Sequence, residues 1–427
     1  MLSFLRMKNF MSVAEATLNF SFAEGKAPNG YRESSNIIFC EPAKKQRLVP
    51  VMAIYGPNAS GKTNIIRAIY ALRKIALGSK AANFYSPNRL LMPTDPMTLT
   101  CGFCVGNRSF VYDVTISYAG ITEEALSCDG IDVFRIAGGQ CHFDGLTTTQ
   151  VYTADRVHEI FQMECMREGG SQNKSFLSRL GDDYWKLSDV ATVAHRYLSA
   201  MEIYTQNKIP MFFGIEKIQN ISKDTFDNSL AEVVGHLRQF DISIEGLRVD
   251  QKEFESIQQY VNDQLFSQAD DIQKASYGPG VVAKVIRSFH QDIDGNLVKF
   301  NFSEESDGTK ILAGLLGVVL SVLKKGGVLV IDELDHSLHP YILEKLVCMF
   351  KDKDYNPKNA QLVFSAHDTE LLDTDTVRMS EVAIADKTMR KGTSITRIAE
   401  FEGVRNVTNF RRQYLLGTFG GIPHPYI

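Results

Sequence analysis

Apolar and polar residues alternate along "MLSFLRMKNFMSVAEATLNFSF" (residues 1–22), and that period of two predicts a β-hairpin. A secretory leader would need an unbroken apolar core there. After a polar loop, "AEGKAPNGYRESSN", the run "VPVMAIY" is apolar throughout and reads as a buried strand. Beyond it Ile65, Ile69, Leu72 and Ala76 recur at helical spacing, which predicts a helix ending near Gly78. A loop bearing Pro87, Pro93 and Pro96 leads into two strand-like pieces, "MTLTCGFCV" and "SFVYDVTISY". From about residue 150 to 275 the texture turns helical, polar and irregular, with Trp185 and segments such as "DNSLAEVVGHLRQF". "VVAKVIRSFHQDIDGNLVKFNF" then reads as a hairpin turning at Asp294-Gly295. From 303 onward apolar strands and helices alternate again. No a/d heptad is sustained, so the middle is expected to be a compact lid or short arm, not a long coiled coil.

These patterns predict an α/β protein in three stretches: 1–150 and 281–427 as the two parts of one α/β lobe, with 151–280 as a helical insertion. A chain of 427 residues is long enough for a core lobe plus that insertion. With 44% hydrophobic and 22% charged residues the composition is that of a globular protein. The net charge of −4 argues against wholesale wrapping by nucleic acid and leaves room for a local basic patch. No apolar run approaches the roughly 18 residues of a membrane span, so no membrane partner and a cytoplasmic location are expected. The seven cysteines form no framework. "CGFC" (101–104) resembles half a zinc knuckle, yet no second such pair completes it, and buried, unligated thiols are expected.

Candidate chemistry begins between the buried strand and the helix. In "YGPNASGKTN" the residues Gly56, Gly61, Lys62 and Thr63 fit G-x-x-x-x-G-K-[ST], with Asn58 and Ser60 inside the loop. Glycines let the backbone curl its N–H groups toward an anion, the lysine reaches the β- and γ-phosphates, and the threonine hydroxyl holds Mg²⁺. Downstream, "GGVLVIDELDHSLHP" places Asp332 and Glu333 at the end of an apolar strand, where parallel sheets bind ligands. Such an acid can hold Mg²⁺ and its neighbour can deprotonate water; both could also simply start a helix as N-terminal charges. "QLVFSAHD" ends another strand near His367, which could donate to a γ-phosphate. In "SEESDGTKILAGLL", Ser306 precedes a helix at N-cap spacing. It is either only that cap or a second anion-binding device acting on the nucleotide of another copy.

Taken in chain order, these four stretches resemble the ABC-type ATPase head. More narrowly, on "LRMKNFMSV", "YGPNASGKTN", "SDGTKILAGLL" and "DELDHSLHP", the sequence is similar to the compact AAA_15/AAA_21-like ATPases related to the RecF, Rad50 and OLD groups. The stretch "NFRRQYLLGTFGGIP" (409–423) resembles the tail of the ATPase subunit of AbiL-type abortive-infection systems. The resemblance covers roughly residues 1–120 and 280–427. It implies ATP and Mg²⁺ as ligands, with Lys62 and Thr63 in the phosphate and metal roles, Asp332 in the second metal role, Glu333 as base and His367 as switch. It also implies that Ser306 and Gly308 form a signature clamping ATP across a homodimer or higher oligomer. Ser337, Leu338 and His339 match a loop that crosses between protomers, and this argues against His336 and His339 as a metal pair. Residues 64–139 hold no glutamine, so a transporter-type Q-loop has no counterpart there.

The leading expectation is an ATP-hydrolysing dimeric switch that controls a separate effector, such as a nuclease, in antiviral defence. The alternative is a RecF-like DNA-binding ATPase of repair or recombination, with Lys44, Lys45, Arg47, Arg411 and Arg412 as its basic surface. A transporter motor fits poorly without a Q-loop or membrane partner. A GTPase fits poorly because "NKIP" (207–210) lacks the acid of the guanine motif.

Overall fold

The structure is a computed structural model and describes residues 1–22, 38–40, 46–143, 159, 173–180, 188–205, 223–254, 281–373, 376–388, 390–401 and 409–422. Trp185, Lys44, Lys45 and the "NKIP" stretch lie outside these residues. Two compact units share the chain. The first comprises Met1–Gln206, Val322–Asp335 and Leu343–Ile427; the second comprises Asn207–Ser321 and His336–Ile342.

In the first unit the hairpin expected at the start is present as β1 (Leu2–Phe10) and β2 (Val13–Asn19). A short ribbon follows, β3 (Ile38–Cys40) with β4 (Gln46–Leu48). The apolar run before the phosphate loop is β5 (Val51–Tyr55), buried at every residue. Next comes an antiparallel meander of β6 (Met97–Val105), β7 (Arg108–Ser117), β8 (Gly120–Cys128), β9 (Ile131–Ala137) and β10 (Gln140–His142). Only β6 and β7 stand out in the sequence pattern. Register shifts between Thr115 and Ile116 and between Leu126 and Ser127 break the period of two around β8.

The stretch 151–280, read as helical, supplies strands as well as helices. β11 (Glu202–Tyr204) joins the main sheet of the first unit, and β12 (Gly246–Phe254) lies in the second. There β12 pairs with β13 (Val281–Gln291), and β13 with β14 (Leu297–Asn301). The β13–β14 turn is the expected one: Gly295 has φ +86° and the Asp292 carboxylate accepts from the Asp294 and Asn296 amides. The remaining strands, β15 (Val328–Ile331), β16 (Gln361–Ser365), β17 (Val382–Thr388) and β18 (Gly392–Arg397), complete the first unit.

Its main sheet has 13 strands in the order β10-β9-β8-β7-β6-β1-β2-β18-β17-β5-β16-β15-β11. The run β17-β5-β16-β15-β11 is parallel, and the remainder is antiparallel. This mixed α/β sheet, antiparallel toward the N-terminal strands and parallel at the core, is the expected class. Parallel strands buried on both faces must be apolar throughout, which is why β5, β15 and β16 read as unbroken runs. Each buried valine, leucine or isoleucine there contributes about 1.5–3 kcal/mol. The helix Lys62–Ala76 adds Ile65, Ile69, Leu72 and Ala76 to the same core as Leu5, Met7 and Leu99. Gln361, fully buried, accepts from the Leu2 amide (2.7 Å) and donates to the Val49 carbonyl (2.9 Å), tying the start of the chain to the parallel core.

The "CGFC" stretch has a packing explanation. Cys101 and Cys104 are buried thiols outside any disulfide and belong to different hydrophobic clusters. Burial pushes the Cys101 thiol up to about 12, so it stays protonated and unreactive. Gly102 between them pairs with Phe4 on β1, whose ring lies 2.3 Å from where a Cβ would stand. The glycine is there for the ring.

Candidate nucleotide site

The phosphate loop connects β5 to the helix Lys62–Ala76 in the first unit. Its two motif glycines have φ +148° (Gly56) and +106° (Gly61), conformations that side chains resist. Space excludes them too. A Cβ on Gly56 would stand 2.2 Å from the Ala385 carbonyl, and one on Gly61 would stand 2.3 Å from Thr393 Oγ1. Thr393 also donates to the Ser60 carbonyl (2.7 Å) and shares a hydrogen bond with Ser12 (2.7 Å), to which Asn64 donates in turn (2.7 Å). The β1–β2 turn and β18 thus brace the rim of the loop.

Lys62 is 6% exposed, and its ammonium donates to the carbonyls of Gly56 (2.7 Å) and Pro57 (3.2 Å). Burial pulls its pKa below the ordinary lysine value; Asp332, Asp335 and Glu333 act in the opposite direction. An entering anion would strengthen the charged form further. Thr63 is half-buried on the first turn of the helix, Asn58 is exposed, and Ser60 is buried. The Ser60 hydroxyl finds no hydrogen-bond partner among the described residues. A cavity of about 700 Å³ opens beside the loop, lined by Asn58, Ser60, Ser12, Asn88, Arg89 and Lys387 among others. That volume lies in the range of small-molecule sites.

β15 and β16 bring the acids to the same edge of the sheet as the loop. Asp332 is 4% exposed, and its Oδ1 accepts from Ser365 Oγ at 2.6 Å. Ser365 also accepts from the Glu333 amide (2.8 Å), while its carbonyl accepts from the Leu334 amide (3.1 Å). These bonds hold Glu333 at φ +57°, a left-handed conformation that costs a glutamate about 1–2 kcal/mol. The Glu333 side chain is half-exposed, and its Oε1 lies 3.9 Å from His367 Nε2. Asp335 Oδ2 accepts from the His367 (2.7 Å) and Asp368 (2.6 Å) amides and so orders the histidine loop.

The other Asp332 oxygen, Oδ2, is buried with no hydrogen-bond partner among the described residues. A carboxylate oxygen so placed calls for a cation or water. No group of three His, Cys, Asp or Glu side chains able to hold a metal occurs among the described residues. The donors at hand, one carboxylate and the Thr63 hydroxyl, suit Mg²⁺, which keeps waters and phosphate oxygens in its shell.

The helix Asp307–Lys325 starts in the second unit at Ser306, whose Oγ accepts from the Thr309 amide (3.1 Å) and lies 2.8 Å from Thr309 Oγ1. The serine is the N-cap and is exposed. A Cβ on Gly308 would come 3.3 Å from the Ser337 carbonyl, so the missing side chain leaves room for the 337–339 loop. Ser337 has φ +60°, and His339 and Tyr341 stack with centroids 5.4 Å apart.

The first unit therefore gathers the loop, Lys62, Thr63, Asp332, Glu333 and His367 along one sheet edge, while Ser306 and Gly308 sit in the second. Sequence reading missed Ser365 and Asp335, which position the acids and the histidine; the polar end of "QLVFS" and the second acid of "DELD" were the available signals. Of the five basic residues considered for DNA, Arg411 is engaged internally, donating to Thr369 Oγ1 (3.2 Å).

Residues 202–373 match the AAA_21 family profile, described as "AAA domain, putative AbiEii toxin, Type IV TA system". No curated protein matches the chain. Among solved structures it is similar to an SmcHead bound to the C-winged helix domain of ScpA, with 13% identity, TM-score 0.45 and coverage of 92% of this chain and 96% of that one. It is also similar to the SMC head domain from Thermotoga maritima, with 14% identity, TM-score 0.41 and coverage of 93% and 98%. A third is an Smc head domain with an extended coiled coil bound to the C-terminal domain of ScpA, derived from Pyrococcus furiosus, with 13% identity, TM-score 0.42 and coverage of 92% and 95%. Residues 202–373 thus match an AAA-domain profile, and in the main sheet the glycine-built loop after β5 lies two strands from the acidic pair after β15.

Proposed function

We propose that the protein binds and hydrolyses ATP with Mg²⁺ and uses the nucleotide to control a homodimer that regulates a partner effector. The observation that carries the reading is the buried Asp332 Oδ2, which has no hydrogen-bond partner among the described residues, on the same sheet edge as the buried Lys62 and the half-exposed Glu333. Lys62 would leave the Gly56 and Pro57 carbonyls for the β- and γ-phosphates, and the loop amides would complete the cradle. The nucleoside would enter the 700 Å³ cavity beside Asn58 and Ser60. Thr63 and Asp332 would hold Mg²⁺, which when bound neutralises phosphate charge.

Glu333 takes a proton from the attacking water as its oxygen bonds to the γ-phosphorus; the bond from the γ-phosphorus to the β,γ-bridging oxygen breaks, ADP leaves with the electron pair, and phosphate is the other product. Glu333 reaches that position because Ser365 fixes its backbone. His367, 3.9 Å from Glu333 Oε1, lies where loss of the γ-phosphate would alter its contacts. Ser306 and Gly308 of a second copy would close over the nucleotide, so that each ATP bridges two protomers. The effector would be a toxin or nuclease acting in antiviral defence; in support, the matched family's description names a putative AbiEii toxin and a Type IV TA system.

The test is Glu333→Gln, which keeps the side chain's shape and removes its basicity. Hydrolysis is expected to be largely lost, with an ATP-dependent dimer accumulating in size-exclusion chromatography. Unchanged turnover in that variant would remove Glu333 from the catalytic role.

A further inference from the structure

The segment 409–422 packs against the candidate nucleotide site. It begins as a short helix, Phe410–Leu415, capped by Asn409, whose side chain accepts from the Arg412 amide (2.7 Å). Gly417, at φ +79°, ends the helix, its amide donating to the Tyr414 carbonyl (2.8 Å) while the Thr418 amide donates to Gln413 (3.0 Å). The Tyr414 hydroxyl then donates to the Gly421 carbonyl (2.8 Å), closing the segment on itself.

Contacts reach the site at two places. Gly421, at φ +65°, lies against the first glycine of the phosphate loop: a Cβ built on it would be 3.7 Å from Gly56 Cα and only 2.3 Å from Ile384 Cγ2. Gly56 thus lies beside both the Ala385 carbonyl and Gly421, and the Cβ position on Gly421 is also 3.6 Å from that carbonyl. The Tyr414 ring meets the Tyr55 ring edge-on, with centroids 6.2 Å apart, and Tyr55 is the residue before Gly56. The second place is the Arg411 hydrogen bond to Thr369, two residues beyond His367. One segment thus touches the entry of the phosphate loop and the loop carrying the histidine.

We propose that Asn409–Ile422 is a positioning clasp for the nucleotide site, in which Tyr414 and Gly421 hold the phosphate loop and Arg411 holds the histidine loop. This rests on the ATP-binding reading above. Because the clasp and the nucleotide touch the same glycine-built loop, occupancy of the site and closure of the clasp are linked reciprocally.

Binding of a fluorescent ATP analogue is measured for the unmodified protein and for Lys62→Ala, Tyr414→Phe and Gly421→Ala, alongside amide hydrogen exchange of residues 414–421 with and without ATP. Tyr414→Phe, which loses one hydrogen bond, is expected to weaken binding by about two- to ten-fold. Gly421→Ala, which must also displace the segment from Ile384, is expected to weaken it more. ATP is expected to slow exchange across 414–421 in the unmodified protein, and a merely structural role would leave that exchange unmoved. Binding within two-fold of the unmodified protein in both clasp variants, or exchange indifferent to ATP, would overturn the clasp. If Lys62→Ala still abolishes binding, that failure belongs to the clasp alone. Absence of binding by the unmodified protein would overturn both readings.

Discussion

Replacing Ser365 with alanine removes a hydroxyl that touches neither nucleotide nor water in the proposed reaction, and its consequence follows from two distances. The hydroxyl donates to Asp332 Oδ1 at 2.6 Å and accepts from the Glu333 amide at 2.8 Å. A hydrogen bond to a carboxylate contributes about 1.5–3 kcal/mol, and a neutral one about 1 kcal/mol. Losing both leaves a buried carboxylate less satisfied and frees a glutamate backbone that is held at φ +57°. If about 1.4–2.8 kcal/mol of that loss appears as misplacement of Glu333 in the transition state, kcat falls about 10- to 100-fold. Lys62 and the phosphate cradle are untouched, so affinity for ATP should change little. Steady-state phosphate release and binding of a fluorescent ATP analogue separate the two quantities. A kcat within two-fold of the unmodified protein, in a variant that folds, would refute the claim that Ser365 fixes the base.

Gly61→Ala forces a Cβ to within 2.3 Å of Thr393 Oγ1 at a backbone φ of +106°. Strain of about 1–3 kcal/mol there is expected to weaken nucleotide binding by about 10-fold or more, read by analogue titration, with circular dichroism unchanged. A pH effect is expected from Glu124, a fully buried carboxylate that accepts from the Phe176 and Leu177 amides, Ser175 and Tyr112. Burial is the largest influence and raises its pKa above the ordinary 4.5, against the hydrogen bonds that lower it. The folded state thus binds this proton more tightly than the unfolded one. Its contribution to stability is fully present below the unfolded value and is lost as pH rises through the raised folded value. Glu124→Gln should flatten that part of a denaturation-midpoint profile, and an unchanged slope would count against it.

The loop after β5 was legible because phosphate-binding chemistry demands fixed residue types at fixed spacing, and Gly56 and Gly61 stand where a Cβ would clash. The strands β5, β15 and β16 were legible because burial on both faces leaves no polar position to confuse the pattern. β8 and β9 were not, since the register shifts beside them interrupt alternation and Glu124 occupies a buried position. The strands within 151–280 escaped for a different reason: β11 has three residues, too few to show any period. Ser365 and Asp335 are short polar side chains whose roles exist only across the sheet. Asp335 is 32 residues before His367, and no local spacing announces that pairing. Ser306 shows the converse limit. Its N-cap geometry was predictable, yet a cap and a phosphate clamp use the same hydroxyl.

The dimer sandwich is tested most directly by mixing two single variants, Lys62→Ala and Ser306→Arg, each inactive alone. In an equimolar mixture half of the dimers combine one of each, and every such dimer keeps one intact site of two, so about a quarter of wild-type turnover should return. A mixture as inactive as its components, with mixed dimers shown to form, would contradict a nucleotide shared between Lys62 of one protomer and Ser306 of its partner.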